Sequence, residues 1–129
     1  MELAAPALKF FADANVLVDK PQEVGRVPRG VRRLIPIVGG EFKGESWHAR
    51  VLPGSADVQL IVSDTLTELD ARYTLELDGG DLVYVHNRAI RSGPAELMAK
   101  IARGEPVDTS AIYFRCAPTF ETASAALRW

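Results

Sequence analysis

TELDARYTLELDGGDLVYVHNRA, residues 67 to 89, carries the surest structural pattern in the chain. In its first half Leu69, Ala71, Tyr73, Leu75 and Leu77 alternate with Glu68, Asp70, Arg72, Thr74 and Glu76. This is the two-residue period of a strand with one apolar and one polar face. Asp78-Gly79-Gly80-Asp81 follows, and a second alternating run sets Val83, Val85, Asn87 and Ala89 against Leu82, Tyr84, His86 and Arg88. Two such runs joined by Asp-Gly-Gly form a hairpin, because glycine accepts a positive φ without penalty. Asn87 is a polar member of a mostly apolar face.

Outward from the hairpin the punctuation stays β-like. Runs rich in Val, Ile, Leu, Phe and Tyr are separated by Gly-Gly at 39 and 40, Pro-Gly-Ser at 53 to 55 and Ser-Gly-Pro at 92 to 94. Further strands are expected near 8–18, 32–38, 45–52, 57–63 and 110–117. One helix is expected over 94–103: Pro94 occupies the first turn, Leu97, Met98 and Ile101 supply the periodic face, and Gly104 ends it. PQEVGRVPRGVRR, 21 to 33, reads as a long loop, either a solvated basic connection or a lid whose arginines reach an anionic ligand. A meander of many strands hides its edges by closing on itself, so the fold class is all-β, mainly antiparallel: a small β-barrel of about 7–9 strands with one short helix.

The bulk properties bound the function. With 129 residues the chain suits a single domain, 1–129. Fifteen basic and 17 acidic residues give a net charge of −2, which offers no electrostatic reason to expect nucleic acid or an acidic membrane. Cys116 is the sole cysteine, so an intrachain disulfide and a cysteine zinc cage are both excluded, and a cytoplasmic location is the expectation. The opening MELAAPALKFF has no basic leader, and no run approaches the ~20 apolar residues of a membrane helix. No nucleophile elbow, phosphate-binding loop or dinucleotide fingerprint is present, and His48 and His86 lack a third ligand at a recognisable spacing. No metal and no cofactor is expected.

Sorting the remaining strands by parity sets Asp57, Gln59 and Ile61 against Val58, Leu60 and Val62, and Tyr113 and Arg115 against Ile112, Phe114 and Cys116. Two arrangements follow. Either the apolar faces fill a dry core with Arg115 and Asp70 in water and Cys116 an inert core thiol, or Tyr113, Arg115, Asp70, Arg72, Asp57 and Gln59 converge inside a lined cavity.

RRLIPIVGGEFKG, VLPGSADVQ, LDARYTLELDGGDLVYVHNRAIR and IYFRCAPTFET together resemble an uncharacterised bacterial and fungal family, domain of unknown function 3237. The likeness runs from about residue 8 to the last residue. It implies a single-domain barrel enclosing a pocket, similar in outline to lipocalin-like or allene-oxide-cyclase-like barrels, with no common activity attached. It also implies pocket polar groups at Arg33, Asp57, Gln59, Asp70, Tyr73, Asn87, Tyr113, Arg115 and Glu121. The chain departs from the pattern at Val58, where the family tends to an aromatic residue. It also stops at Trp129, where relatives continue into further strands, so either a neighbouring subunit closes the edge or the sequence is a shortened form.

A pocket carboxylate is pushed toward neutral pKa by desolvation, and a nearby arginine steadies an enolate or carboxylate. The set therefore suits cofactor-independent isomerisation, dehydration or cyclisation of a carbonyl or carboxylate compound. Arg115, Asp70, Glu121 and Tyr113 are the catalytic candidates, and Arg33, Asp57, Gln59, Tyr73 and Asn87 the ligand-binding ones. The alternatives are a non-catalytic carrier or sensor of a hydrophobic acid or phenol, and a structural domain with a dry core. The expected partners are a small molecule and a second copy of the chain.

Overall fold

The computed structural model describes residues 1–127. Its strands are β1 (Asp13–Val18), β2 (Gln22–Val27), β3 (Gly30–Lys43), β4 (His48–Val51), β5 (Ser55–Ser63), β6 (Leu66–Leu77), β7 (Leu82–Ser92) and β8 (Tyr113–Thr122). One helix, α1 (Ala95–Ala102), lies between β7 and β8. All strand pairs are antiparallel and form one eight-stranded sheet. No helix among the described residues is long and apolar enough to cross a membrane.

The 67–89 hairpin is the spine. Tyr73 faces Val85 and Leu75 faces Val83 across β6 and β7, and the turn closes with Gly80 N–H donating to the Leu77 carbonyl at 2.8 Å. Of the two turn glycines Gly80 has the positive φ, +94°.

β3 organises the rest of the sheet. Its first half pairs with β2 and β5, its second with β1 and β4, and the change of partners falls at Gly39-Gly40. That dipeptide was expected to be a turn. Instead it bends a 14-residue strand. Gly40 has φ +125°, and a Cβ there would lie 2.1 Å from the Asn15 carbonyl oxygen of β1. The register against β1 slips beside the same bend, between Leu17 and Val18. Glycine kinks and bulges of this kind curl a sheet toward closure.

The loop expected over 21–33 is largely strand. β2 and the start of β3 form a tight hairpin in which Val27 faces Gly30. β2 is an edge strand exposed along most of its length, so it has charged residues and a bulge at Gly25 where an inner strand has an apolar face. Its composition is that of a guarded edge, which from sequence looks like a loop. β8 is the opposite edge of the sheet.

Inward-facing side chains of β3, β4, β6 and β7 make the dry part of the core: Ile37, Phe42, Ala49, Val51, Tyr73, Leu75, Val83 and Val85. Trp47 packs against it, and the ring of Phe11, just before β1, lies 5.2 Å from both Trp47 and Phe120 of β8. At the other end α1 lays Met98 against the same inner face. The sheet is thus a trough plugged by aromatic rings at one end and a helix at the other.

Candidate functional site

Between these plugs the inner wall is polar. Across β3, β5, β6 and β7 the pairings Arg33–Gln59, Gln59–Leu69, Asp57–Ala71 and Ala71–Asn87 place Arg33, Asp57, Gln59 and Asn87 on the face that also carries Tyr73. Ala71 and Ala89 stand among them on the same face. Two steps beyond Asn87 the same parity brings Arg91 inward, opposite Thr67.

Arg33 is 5 % and Gln59 6 % exposed. Two of the three Arg33 nitrogens are engaged: one donates to the Ala102 carbonyl at 3.1 Å, and another lies 3.3 Å from Glu23. It ties the end of α1 to the hairpin of β2 and β3. Gln59 donates to Asp57 Oδ2 at 2.8 Å. The other oxygen, Asp57 Oδ1, is buried without a partner, as are Asn87 Oδ1, Arg91 Nε and Arg33 Nε. Buried polar atoms are nearly always paired in native proteins. Four such atoms on one wall set it apart from the apolar part of the core.

The electrostatics agree with the geometry. Desolvation pushes the Asp57 carboxyl above its ordinary value, against the smaller opposing pulls of the Gln59 amide and the Arg91 charge. Burial pushes the Tyr73 phenol up to about 12, with Cys116 and Asp57 adding to it. Arg91 is lowered from its ordinary range by desolvation, partly offset by Asp57. Tyr73 is therefore a neutral donor at physiological pH, and the proton on Asp57 is held more tightly than on an ordinary carboxyl.

The other expected residues stand elsewhere. Asp70 and Arg72 lie on the outer face of β6, where Asp70 Oδ1 meets His86 Nε2 at 2.8 Å and Arg72 Nε at 3.4 Å. Tyr113 and Arg115 lie on the outer face of β8, paired with Ser92 and Ile90. The Arg115 guanidinium sits 5.0 Å from the Tyr113 ring centre and donates to the Phe114 carbonyl at 2.8 Å. The strand tolerates this arginine because the charge stays in water. Glu121 is exposed and contributes to the lip of the aromatic end. Convergence of Arg115, Tyr113 and Asp70 with Asp57 and Gln59 is thus corrected by one-residue alternation: odd positions of β5 and β6 face inward, whereas on β8 the even ones do. Cys116 does face inward, opposite Ala89, yet on this edge strand it is exposed. It is not a core thiol.

Two cavities flank the polar band. One of about 700 Å³ is bordered by Phe11, Trp47, Leu75, Leu77, Val83 and Phe120, with Ser46, Glu121 and Thr122 at its lip. The other, about 400 Å³, lies between α1 and the sheet, against Ile61, Thr67, Arg91, Met98 and Ala102. No group of three or more His, Cys, Asp or Glu side chains among the described residues is placed to hold a metal ion. His48 is held between Asp78 and Glu41 at 2.9 and 3.0 Å, far from the polar band in the pairing scheme.

Residues 6–129 match the family profile described as protein of unknown function DUF3237. The chain belongs to this family. It is 52 % identical over 121 residues to the UPF0311 protein RPA1785 of Rhodopseudomonas palustris, covering 94 % of this chain and 79 % of that one. It is 43 % identical over 116 residues to a UPF0311 protein of Clostridium acetobutylicum, 89 % of this chain and 73 % of that one. The crystal structure of RPA1785 superposes with a TM-score of 0.90 at 45 % identity, over 97 % of this chain and 84 % of that one. A β-barrel-like protein of Acinetobacter baumannii superposes with a TM-score of 0.74 at 36 % identity, over 98 % and 83 % of the two chains. The DUF3237 fold is thus the antiparallel, barrel-like sheet described above.

Arg91 was not among the residues picked out from the sequence. The signal was available: the alternation through Val83, Val85, Asn87 and Ala89 continues to Arg91, two residues past the end expected for that strand.

Proposed function

We propose that the inner wall binds a small carbonyl compound and that Asp57 moves a proton on it, making this DUF3237 chain a cofactor-independent isomerase, lyase or cyclase. One observation carries the reading: a desolvated carboxyl on the inner wall, one oxygen positioned by Gln59 and the other free, beside a neutral phenol and an unpaired amide. In carboxylate form Asp57 takes the proton from carbon α to the carbonyl. The C–H pair becomes the C=C of an enolate, and the negative charge moves to the carbonyl oxygen. Tyr73 is the donor available to that oxygen. Protonated Asp57 then returns the proton to the same carbon or to another. No external reductant or oxidant enters the balance.

The outward Arg115 meets a condition of the dry-core alternative, but Asp57, Gln59, Asn87, Arg33 and Arg91 do not compose a dry core. The carrier alternative draws on the 700 Å³ apolar cavity, which has room for a ligand and no proton-moving group except Glu121 at its lip. Exchange in D2O separates these readings. A panel of enolisable ketones and oxo acids is incubated with the protein and followed by proton NMR. Protein-dependent deuteration of a position α to a carbonyl, lost in Asp57→Asn and kept in Arg115→Met, is the expected result. Binding without exchange would establish a carrier, and exchange that survives Asp57→Asn would remove Asp57 from the chemistry.

A further inference from the structure

We infer that the cavity beneath α1 is an anion site in which Arg91 receives the carboxylate of the ligand, so that the natural substrate class is the oxo acids. The inference rests on the proposed function for the position of the reacting carbon, at Asp57, and on Arg91 alone for the charge.

Arg91 is a half-buried guanidinium on the inner face of β7. Among the described residues it has no carboxylate within ion-pair distance and no hydrogen-bond partner, and its Nε is buried and unpaired. Asp57 keeps one carboxyl oxygen unpaired on the same wall but forms no ion pair with Arg91. Arg33, the second cation of this wall, is taken up by Glu23 and the Ala102 carbonyl. Asp57 senses the Arg91 charge but gives its Oδ2 to Gln59. Asp64 and Glu96 line the same cavity from its rim, and both are exposed.

Desolvating a cation without a hydrogen-bonded partner costs free energy, and a bound anion would offset that cost at Arg91. The cavity it faces has about 400 Å³, enough for a carboxylate and a short carbon chain, and its walls are Ile61, Met98, Ala99 and Ala102 with the Thr67 hydroxyl beside the charge. The planar guanidinium matches a carboxylate in two-point geometry. Arg91 of β7 and Asp57 of β5 both face inward on either side of β6, so a compound held by its acid group at Arg91 extends along the inner wall toward Asp57. A short oxo acid satisfies both poles, whereas a neutral ketone satisfies only one.

The test uses 2-oxobutanoate and 4-oxopentanoate, each against its own primary amide. Binding is measured by NMR titration with the arginine Nε–H signals resolved. At least one acid is expected to bind roughly tenfold or more tighter than its amide, as charge-assisted hydrogen bonds allow, and to move the Arg91 Nε–H signal. Arg91→Met is expected to erase that difference while leaving the amide unchanged, and Arg91→Lys to restore part of it. Equal binding of each acid and its amide, no binding of either, or a shift confined to outer-face arginines such as Arg72 and Arg115 would overturn the inference without recourse to any variant. The two readings fail separately. Acids that bind at Arg91 without α-exchange leave the anion site standing and remove the catalysis, while exchange on neutral ketones that ignores Arg91→Met does the reverse.

Discussion

Gly39 and Gly40 are identical in sequence and opposite in what the fold asks of them. At Gly40 the backbone has φ +125°, and an added Cβ would sit 2.1 Å from Asn15 O and 2.9 Å from Val16 Cα, both backbone atoms of the paired strand. At Gly39 no atom lies within 4 Å of the added carbon and the φ is ordinary. Gly40→Ala therefore combines a backbone conformation costing about 1–3 kcal/mol with a clash that relaxes only by moving β1. We expect a loss of about 2–4 kcal/mol, read as a fall in Tm on the order of 10 °C for a domain of this size. Gly39→Ala should lie within about 1 kcal/mol of the parent on either side. Thermal and urea unfolding followed by circular dichroism measure both. If Gly40→Ala melted within about 2 °C of the parent, the bend would not be the strained joint described, and β3 could turn its two halves onto β5 and β4 without it. The consequence reaches the site, since that bend sets Arg33 and Asp57 on a wall that curves toward Asn87.

Three further outcomes are expected. Arg115→Met should leave both melting temperature and any α-exchange essentially unchanged, because the guanidinium rests on Tyr113 outside the sheet; a large loss of activity would place it in the site after all. His48 is raised above its ordinary value of 6.5 by Asp78 first and Glu41 second, so its contribution to stability is complete below that value and is lost as pH rises through the higher folded one. His48→Gln should flatten stability across that window, and urea midpoints at a series of pH values show whether it does. For Asp57 the sign is also that of a raised pKa: the folded state holds the proton more tightly, so stability falls as pH rises from the unfolded carboxyl value through the folded one. Asp57→Asn should abolish that fall, and a variant that tracked the parent at every pH would show Asp57 not to be desolvated.

The sequence by itself determined the class of fold. Alternation along 67–89 and its Asp-Gly-Gly link specify a hairpin, and the short spacing of turn residues specifies a meander, because backbone sterics and the two-residue period act locally. The same alternation put Asp57 with Gln59 and Asn87 with Val85. What it could not decide is which face of each strand turns inward relative to its neighbours, since that depends on register between segments far apart in the chain. Asp57 thus joins Asn87 on the inner wall, while Arg115, with the same mixed character, goes to water. Edge strands were the other blind spot: β2 lacks an apolar face because one side of its ladder is unpaired, and Gly40 looked like a turn although its role is to let Asn15 approach. The difference between the two arginines is likewise a tertiary fact, for only the packed sheet and helix show that Arg33 meets Glu23 while the Arg91 Nε is buried and unpaired.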